Sequence, residues 1–168
     1  MNLTLTLTKQ FDIGEILSPD LIQLNLQAHT KYEAIAALTD MLQAVGNVTD
    51  KQAFMADVFA REKEGLTGIG FGIAIPHGKS DAVCKTSIAI GRVPHAGIPW
   101  ETQDNKPVRM VILFAVRNVD KTTVHLRMLS QVAMALAEEA TLERLLASPD
   151  KQEIMHLLSQ EMQEMVDV

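Results

Sequence analysis

Residues 108–116 read "VRMVILFAV", and from Met110 to Val116 every residue is apolar. A strand with one wet face alternates apolar and polar residues, whereas a run apolar on both faces is a strand covered from above and below. The rest of the chain must therefore supply further strands and helices for both faces. Upstream, "LIQLNLQ" (21–27) sets Ile22, Leu24 and Leu26 against Gln23, Asn25 and Gln27, which predicts a strand with one face buried. Thr30 and Glu33 have the spacing of a capping box ahead of Ala34, Leu38, Met41, Leu42 and Val45, and that helix closes at Gly46. A second helix begins at Thr49 or Asp50 and turns Phe54, Met55, Val58 and Phe59 inward. It carries Arg61 on its last turn and stops by Gly65, read as a left-handed helix exit. Short strands follow at "GIAIP" (72–76) and "TSIAIGRV" (86–93). Beyond the central run come helices over 122–137, from Thr141, and from Ser148 as N-cap with Pro149 at the first helical position. This order predicts an α/β fold, a mixed β-sheet sandwiched between helices on both faces, in a single globular domain. Residues 3–8, "LTLTLT", alternate like a strand but fit an edge strand, pairing with another copy or a loose lead-in equally well.

Composition excludes several functions. The net charge of −6 contains no basic run, which removes the electrostatic term that dominates nucleic-acid binding. No apolar stretch approaches the roughly 20 residues a bilayer requires, so no direct membrane insertion is expected and the protein reads as cytoplasmic. Cys84 is the only cysteine, which rules out an intramolecular disulfide and a Cys-x-x-Cys site and leaves packing as its expected role.

The stretch "EGLTGIGFGIAIPHGKSDAV" (64–83) concentrates five glycines around one histidine. A phosphate-cradling P-loop needs four residues between its first glycine and Gly-Lys-Ser/Thr; five separate Gly72 from Gly78-Lys79-Ser80. A dinucleotide fingerprint needs a strand before its glycines and a helix after, and here the order is reversed. Gly78-Lys79-Ser80-Asp81-Ala82 resembles a hydrolase nucleophile elbow lacking one glycine, but a strand follows where the elbow needs a helix. His77, His125 and Cys84 lack zinc-ligand spacing and a fourth ligand, so no metal is expected.

What remains is His77 itself. Pro76 pins the approach and Gly78 lets the chain turn away, leaving the imidazole open to a large partner. A neutral imidazole with one ring nitrogen held by a hydrogen bond is a competent nucleophile for a transferable group, with phosphoryl the natural candidate.

"REKEGLTGIGFGIAIPHGK" (61–79), with "HLRMLSQVA" (125–133) downstream, resembles the EIIA component of the phosphoenolpyruvate-dependent sugar phosphotransferase system, in the superfamily of fructose/mannitol and nitrogen-regulatory proteins. The resemblance rests on Arg61, Thr67-Gly68-Ile69-Gly70, Ile75-Pro76-His77-Gly78 and His125-Leu126, and runs by element order from Ile16 to Ser159. It implies residues 1–15 as an unassigned N-terminal extension, 16–160 as the phosphocarrier domain and 161–168 as a C-terminal tail.

The resemblance implies a protein phosphotransferase in which His77 accepts phosphoryl from phospho-HPr, or an HPr-like domain, and hands it to a cysteine of an EIIB component for sugar uptake, with fructose the nearest type. The alternative within the superfamily is a regulatory, nitrogen-type EIIA whose phosphorylation state controls binding to another protein. Arg61 would be the cation beside the phosphoryl group and His125 a second group near it, roles that suit a transfer resting on positioning and charge. Thr67 fits two roles, a hydroxyl offered to the phosphoryl group or a helix-exit residue bonded locally. No cofactor is implied, because the phosphoryl group comes through HPr, and the membrane is reached only through EIIB and EIIC.

Overall fold

The computed structural model describes residues 16–94, 96–120 and 122–167, and the chain divides into two compact units. The segment "LTLTLT" lies outside the described residues.

The unit Asp20–Val119 holds a six-stranded mixed sheet. Its strands are β1 (Ile22–Gln23), β2 (Gly68–Gly70), β3 (Ile73–Ala74), β4 (His77–Ser80), β5 (Ser87–Arg92) and β6 (Met110–Arg117), with helices α1 (Lys31–Ala44) and α2 (Lys51–Glu62) between β1 and β2. The run 110–116 is the central strand. β6 pairs antiparallel with β5 on one side and parallel with β3 and β4 on the other, and β1 adds in parallel to β5. Both faces of β6 are sealed: Val111, Leu113 and Ala115 join the cluster formed with α1 and α2, and Met110, Ile112, Phe114 and Val116 on the opposite pleat are equally buried. The fold class is the expected one, α/β with a mixed sheet and helices.

The helix ends follow local chemistry. Thr30 Oγ1 accepts the Glu33 N–H at 3.0 Å, and the Glu33 carboxylate accepts the His29 N–H at 2.9 Å, one residue further back than an ideal capping box. α1 closes in a Schellman arrangement, with Gly46 at φ 85° and the Gly46 and Asn47 N–H groups bonded to the Gln43 and Leu42 carbonyls. Asp50 caps α2 through the Ala53 N–H. α2 stops at Glu62 with Lys63 still right-handed, so Gly65 is not the left-handed stop expected of it. The alternation over 21–27 survives in burial, although only Ile22 and Gln23 make a ladder and the Leu26 N–H alone rejoins β5, at the Arg92 carbonyl. Cys84 is exposed rather than packed, its thiol donating to the Gly46 carbonyl at 2.7 Å.

β3 and β4 are two halves of one strand running along β6. Ile73 and Ala74 pair with Met110 and Val111, and His77 to Ser80 pair with Phe114 to Arg117. The break falls at Ile75-Pro76 because proline has no N–H to give the ladder; the Phe114 N–H still reaches the Pro76 carbonyl at 3.0 Å, which keeps the register. Gly70, Phe71 and Gly72 turn the chain from β2 into β3 with φ of 96°, 59° and 81°, and the Asp104 carboxylate accepts the Phe71 N–H at 2.9 Å. These glycines serve a tight turn.

The other unit takes in the described residues from Asp120 to Asp167 together with those from Ile16 to Pro19. Its helices are α3 (Thr122–Leu136), α4 (Glu139–Ala147) and α5 (Lys151–Asp167). Met128, Val132, Leu136, Leu145, Ile154 and Leu158 are buried. α5 begins later than Ser148. Asp150 takes the cap position and accepts the Gln152 N–H, while Ser148 Oγ accepts from Asp150. Arg144 forks onto Glu153, and these hydrogen bonds bring that carboxyl down to about 2. No helix among the described residues is long and apolar enough to cross a membrane.

Candidate functional site

His77 is the first residue after the break in the β3–β4 strand and is 9% exposed. It opens β4, and it is shielded, not open as the flanking proline and glycine implied. Gly78 is likewise not a turn. It lies inside β4 under α2, where an added Cβ would sit 2.7 Å from Val58 Cγ2 and 3.0 Å from Phe54 Cε1. The glycine is required by close helix–strand approach, and because side chains alternate along a strand, the imidazole beside it stands on the opposite pleat, in register with Phe114.

The ring is held from its own backbone. Nδ1 lies 3.4 Å from the Ile75 carbonyl oxygen, which favours the tautomer with the proton on Nδ1 and the lone pair on Nε2. Burial pushes the imidazole below its ordinary value of 6.5; the Ile75 carbonyl opposes this by favouring the protonated ring, and the Arg61 charge adds to the lowering. The fold therefore keeps His77 neutral at pH 7, the form a nucleophile needs. Between the lowered value and 6.5 the unfolded chain binds more protons at this residue than the native state does. Stability from this group is thus fully present above 6.5 and declines as pH falls through that window. His77→Gln should flatten this part of the acid limb in urea unfolding followed at a series of pH values.

Arg61 stands on the last turn of α2 as expected, and its charge reaches His77. Its own contacts are long: Nη1 to the Gly65 carbonyl at 3.4 Å and Nε to Glu64 at 3.9 Å. Thr67 is buried, donating its hydroxyl to Glu62 Oε1 at 3.0 Å and accepting from Trp100 Nε1 at 3.1 Å. The local role is thus occupied, and a phosphoryl group would have to compete with Glu62 for that proton. His125 is carried on the first turns of α3, and its side chain lies outside the described residues. Ser80 is buried at the end of β4 with its hydroxyl accepting the Ala82 N–H, and β5 follows it. That is not a nucleophile elbow.

Glu62 stands beside Thr67 without any sequence motif to mark it. Its carboxylate is buried, takes Lys31 Nζ at 2.8 Å as well as the Thr67 hydroxyl, and lies under a cluster in which Lys31 Nζ also stands 5.0 Å from the Trp100 ring centre. The available signal was spacing: Phe54, Val58 and Glu62 stand four apart on one helical stripe, so an acid continues an apolar face. A cavity of about 420 Å³ lined by Pro99, Trp100, Lys106 and neighbours contains none of the predicted site residues. Among the described residues no group of three or more His, Cys, Asp or Glu side chains is placed to hold a metal ion.

The geometry thus sets a shielded imidazole at a strand break of an α/β sheet, with an arginine charge in reach. Residues 15–161 match the family described as phosphoenolpyruvate-dependent sugar phosphotransferase system, EIIA 2. The chain is 36% identical over 149 residues to the PTS system fructose-specific EIIA component of Haloferax volcanii, a match covering 89% of this chain and 96% of that protein. The solved structure of nitrogen regulatory protein IIA-Ntr from Neisseria meningitidis superposes with a TM-score of 0.79 at 29% identity, covering 87% of this chain and 98% of that one. The complex of enzyme IIAMTL and phosphorylated enzyme IIBMTL from Escherichia coli contains a chain matching with a TM-score of 0.72 at 29% identity, covering 86% of this chain and 97% of its own. The protein belongs to the EIIA 2 family of the sugar phosphotransferase system.

Proposed function

We propose that this protein is a phosphohistidine carrier that takes a phosphoryl group from phospho-HPr, or an HPr-like domain, onto His77 and passes it to a cysteine of an EIIB partner for sugar uptake of the fructose type. The observation that carries the reading is the held, neutral imidazole, with Nδ1 turned to the Ile75 carbonyl and its basicity lowered by burial. In the first step the Nε2 lone pair forms the N–P bond while the electron pair of the breaking bond returns to the donor imidazole. In the second, the acceptor thiolate attacks phosphorus and the pair returns to Nε2. Arg61 offsets the charge that develops on the phosphoryl oxygens, in a transfer that is mostly positioning and electrostatics. His125 acts as a further donor, and a helix's first turn is a favourable place to meet an anion. The phosphoryl group arrives on a protein, so the reaction needs no cofactor. The protein works in the cytoplasm and meets the membrane only through EIIB and EIIC.

Fructose-type transport is supported by the identity to the Haloferax volcanii component, and the EIIB partner by the likeness to a chain in the complex of enzyme IIAMTL and phosphorylated enzyme IIBMTL. A second reading, a regulatory module whose phosphorylation state sets its binding, is favoured by the likeness to IIA-Ntr. The two separate when the phosphorylated protein is mixed with a fructose-type EIIB and the label is followed. Transport predicts that the phosphoryl group leaves His77 and appears as S-phosphocysteine on EIIB. Retention on His77, with an EIIB that accepts from another fructose EIIA, would favour the regulatory module.

A further inference from the structure

Glu62 joins three parts of the sheet-bearing unit. Its Oε1 binds Lys31 at the start of α1 and Thr67 just ahead of β2, and Thr67 in turn accepts from Trp100 in the segment before β6. Two routes lead from this hub to the reacting groups. One is covalent: Glu62 follows Arg61 on the last turn of α2, and since the arginine's own contacts are 3.4 and 3.9 Å long, the backbone turn is what aims it. The other runs through hydrogen bonds. The Thr67 hydroxyl is held by Glu62, the Thr67 carbonyl accepts the Ile75 N–H at 2.9 Å, and the Ile75 carbonyl faces His77 Nδ1.

The energetics point the same way. The Glu62 side chain is 6% exposed and its Oε2 is buried without a hydrogen-bond donor among the described residues. Burying an ion pair that leaves one lone-pair oxygen unmatched returns little net stability, because desolvation offsets the attraction. What the arrangement does return is geometry.

We propose that Glu62 is a positioning residue for the phosphoryl site, fixing Arg61 through the end of α2 and the His77 ring through Thr67 and Ile75. This rests on the carrier reading above. The test compares wild type with Glu62→Leu, which removes both bonds, and with Glu62→Ala, a smaller side chain that also removes both and serves if the leucine variant does not fold. With phospho-HPr as donor, the apparent kcat for phosphoryl uptake by Glu62→Leu should fall about tenfold or more, with KM within about twofold and thermal midpoint within a few degrees, the pattern of lost positioning rather than lost docking. A second readout needs no phosphoryl transfer. His77 is titrated by imidazole NMR in wild type, Arg61→Ala, Glu62→Leu and the double variant. Arg61→Ala raises the His77 midpoint in the wild-type background; if Glu62 aims Arg61, the rise is smaller when Glu62 is already gone, and the double difference cancels the direct charge effect of Glu62. An unchanged kcat in a folded Glu62 variant, or an Arg61 effect of the same size in both backgrounds, overturns the proposal. Were wild type to take no phosphoryl group at all, the carrier reading would fail, and the titration cycle would decide the positioning claim on its own.

Discussion

His77→Gln is expected to take up no phosphoryl group from phospho-HPr while remaining folded. Glutamine has no ring nitrogen able to form the N–P bond, so the loss is complete rather than graded. The substitution lies at a buried position, 9% exposed, and removes the contact of Nδ1 with Ile75, so stability should fall by about 1 kcal/mol, the net worth of one hydrogen bond. Intact mass of donor-treated protein and a thermal melt check the two halves of this expectation. A labelled His77→Gln protein would place the acceptor elsewhere.

Phe114→Ala should produce the largest loss of stability among single changes near the site. Phe114 is fully buried in the centre of β6 and stands in register with His77. Truncating a buried phenylalanine costs about 3–5 kcal/mol through lost transfer energy and the cavity left behind. With a total stability of about 5–15 kcal/mol for a domain, that is a large fraction, and the thermal midpoint should fall by on the order of 10 °C. The cavity would open on the pleat that carries the imidazole, so phosphoryl uptake by the folded fraction should slow as well. Urea unfolding and single-turnover uptake, measured on the same preparation, test both effects. A cost below about 1 kcal/mol would mean that neighbouring side chains close the space, contrary to the packing of a fully covered strand.

The sheet was legible because its centre is extreme. Residues 110–116 permit no wet face, and once they are placed, α1 and α2 follow from caps at Thr30 and Asp50 and the stop at Gly46. Arg61 and His77, the candidate site residues, were legible as a motif. The environment of His77 was not, because a glycine next to a histidine reads locally as freedom to turn, whereas Gly78 is demanded by Val58 and Phe54 from a helix some twenty residues earlier in the chain. Thr67 was ambiguous for the same reason: its partners, Glu62 and Trp100, lie on either side in sequence and are joined only by the fold. Glu62 illustrates the limit most clearly. Its spacing after Phe54 and Val58 marks an acid on a buried stripe, but nothing short of Lys31, 31 positions away, says what would hold it there.

The most direct test of the carrier role is a long-range proton–nitrogen NMR correlation of His77 before and after treatment with phosphoenolpyruvate, enzyme I and HPr. A neutral ring protonated at Nδ1 is expected beforehand and a single phosphoryl group on Nε2 afterwards, with Nδ1 still protonated. A phosphoryl group on Nδ1, or none from donors that load a control EIIA, would contradict this expectation.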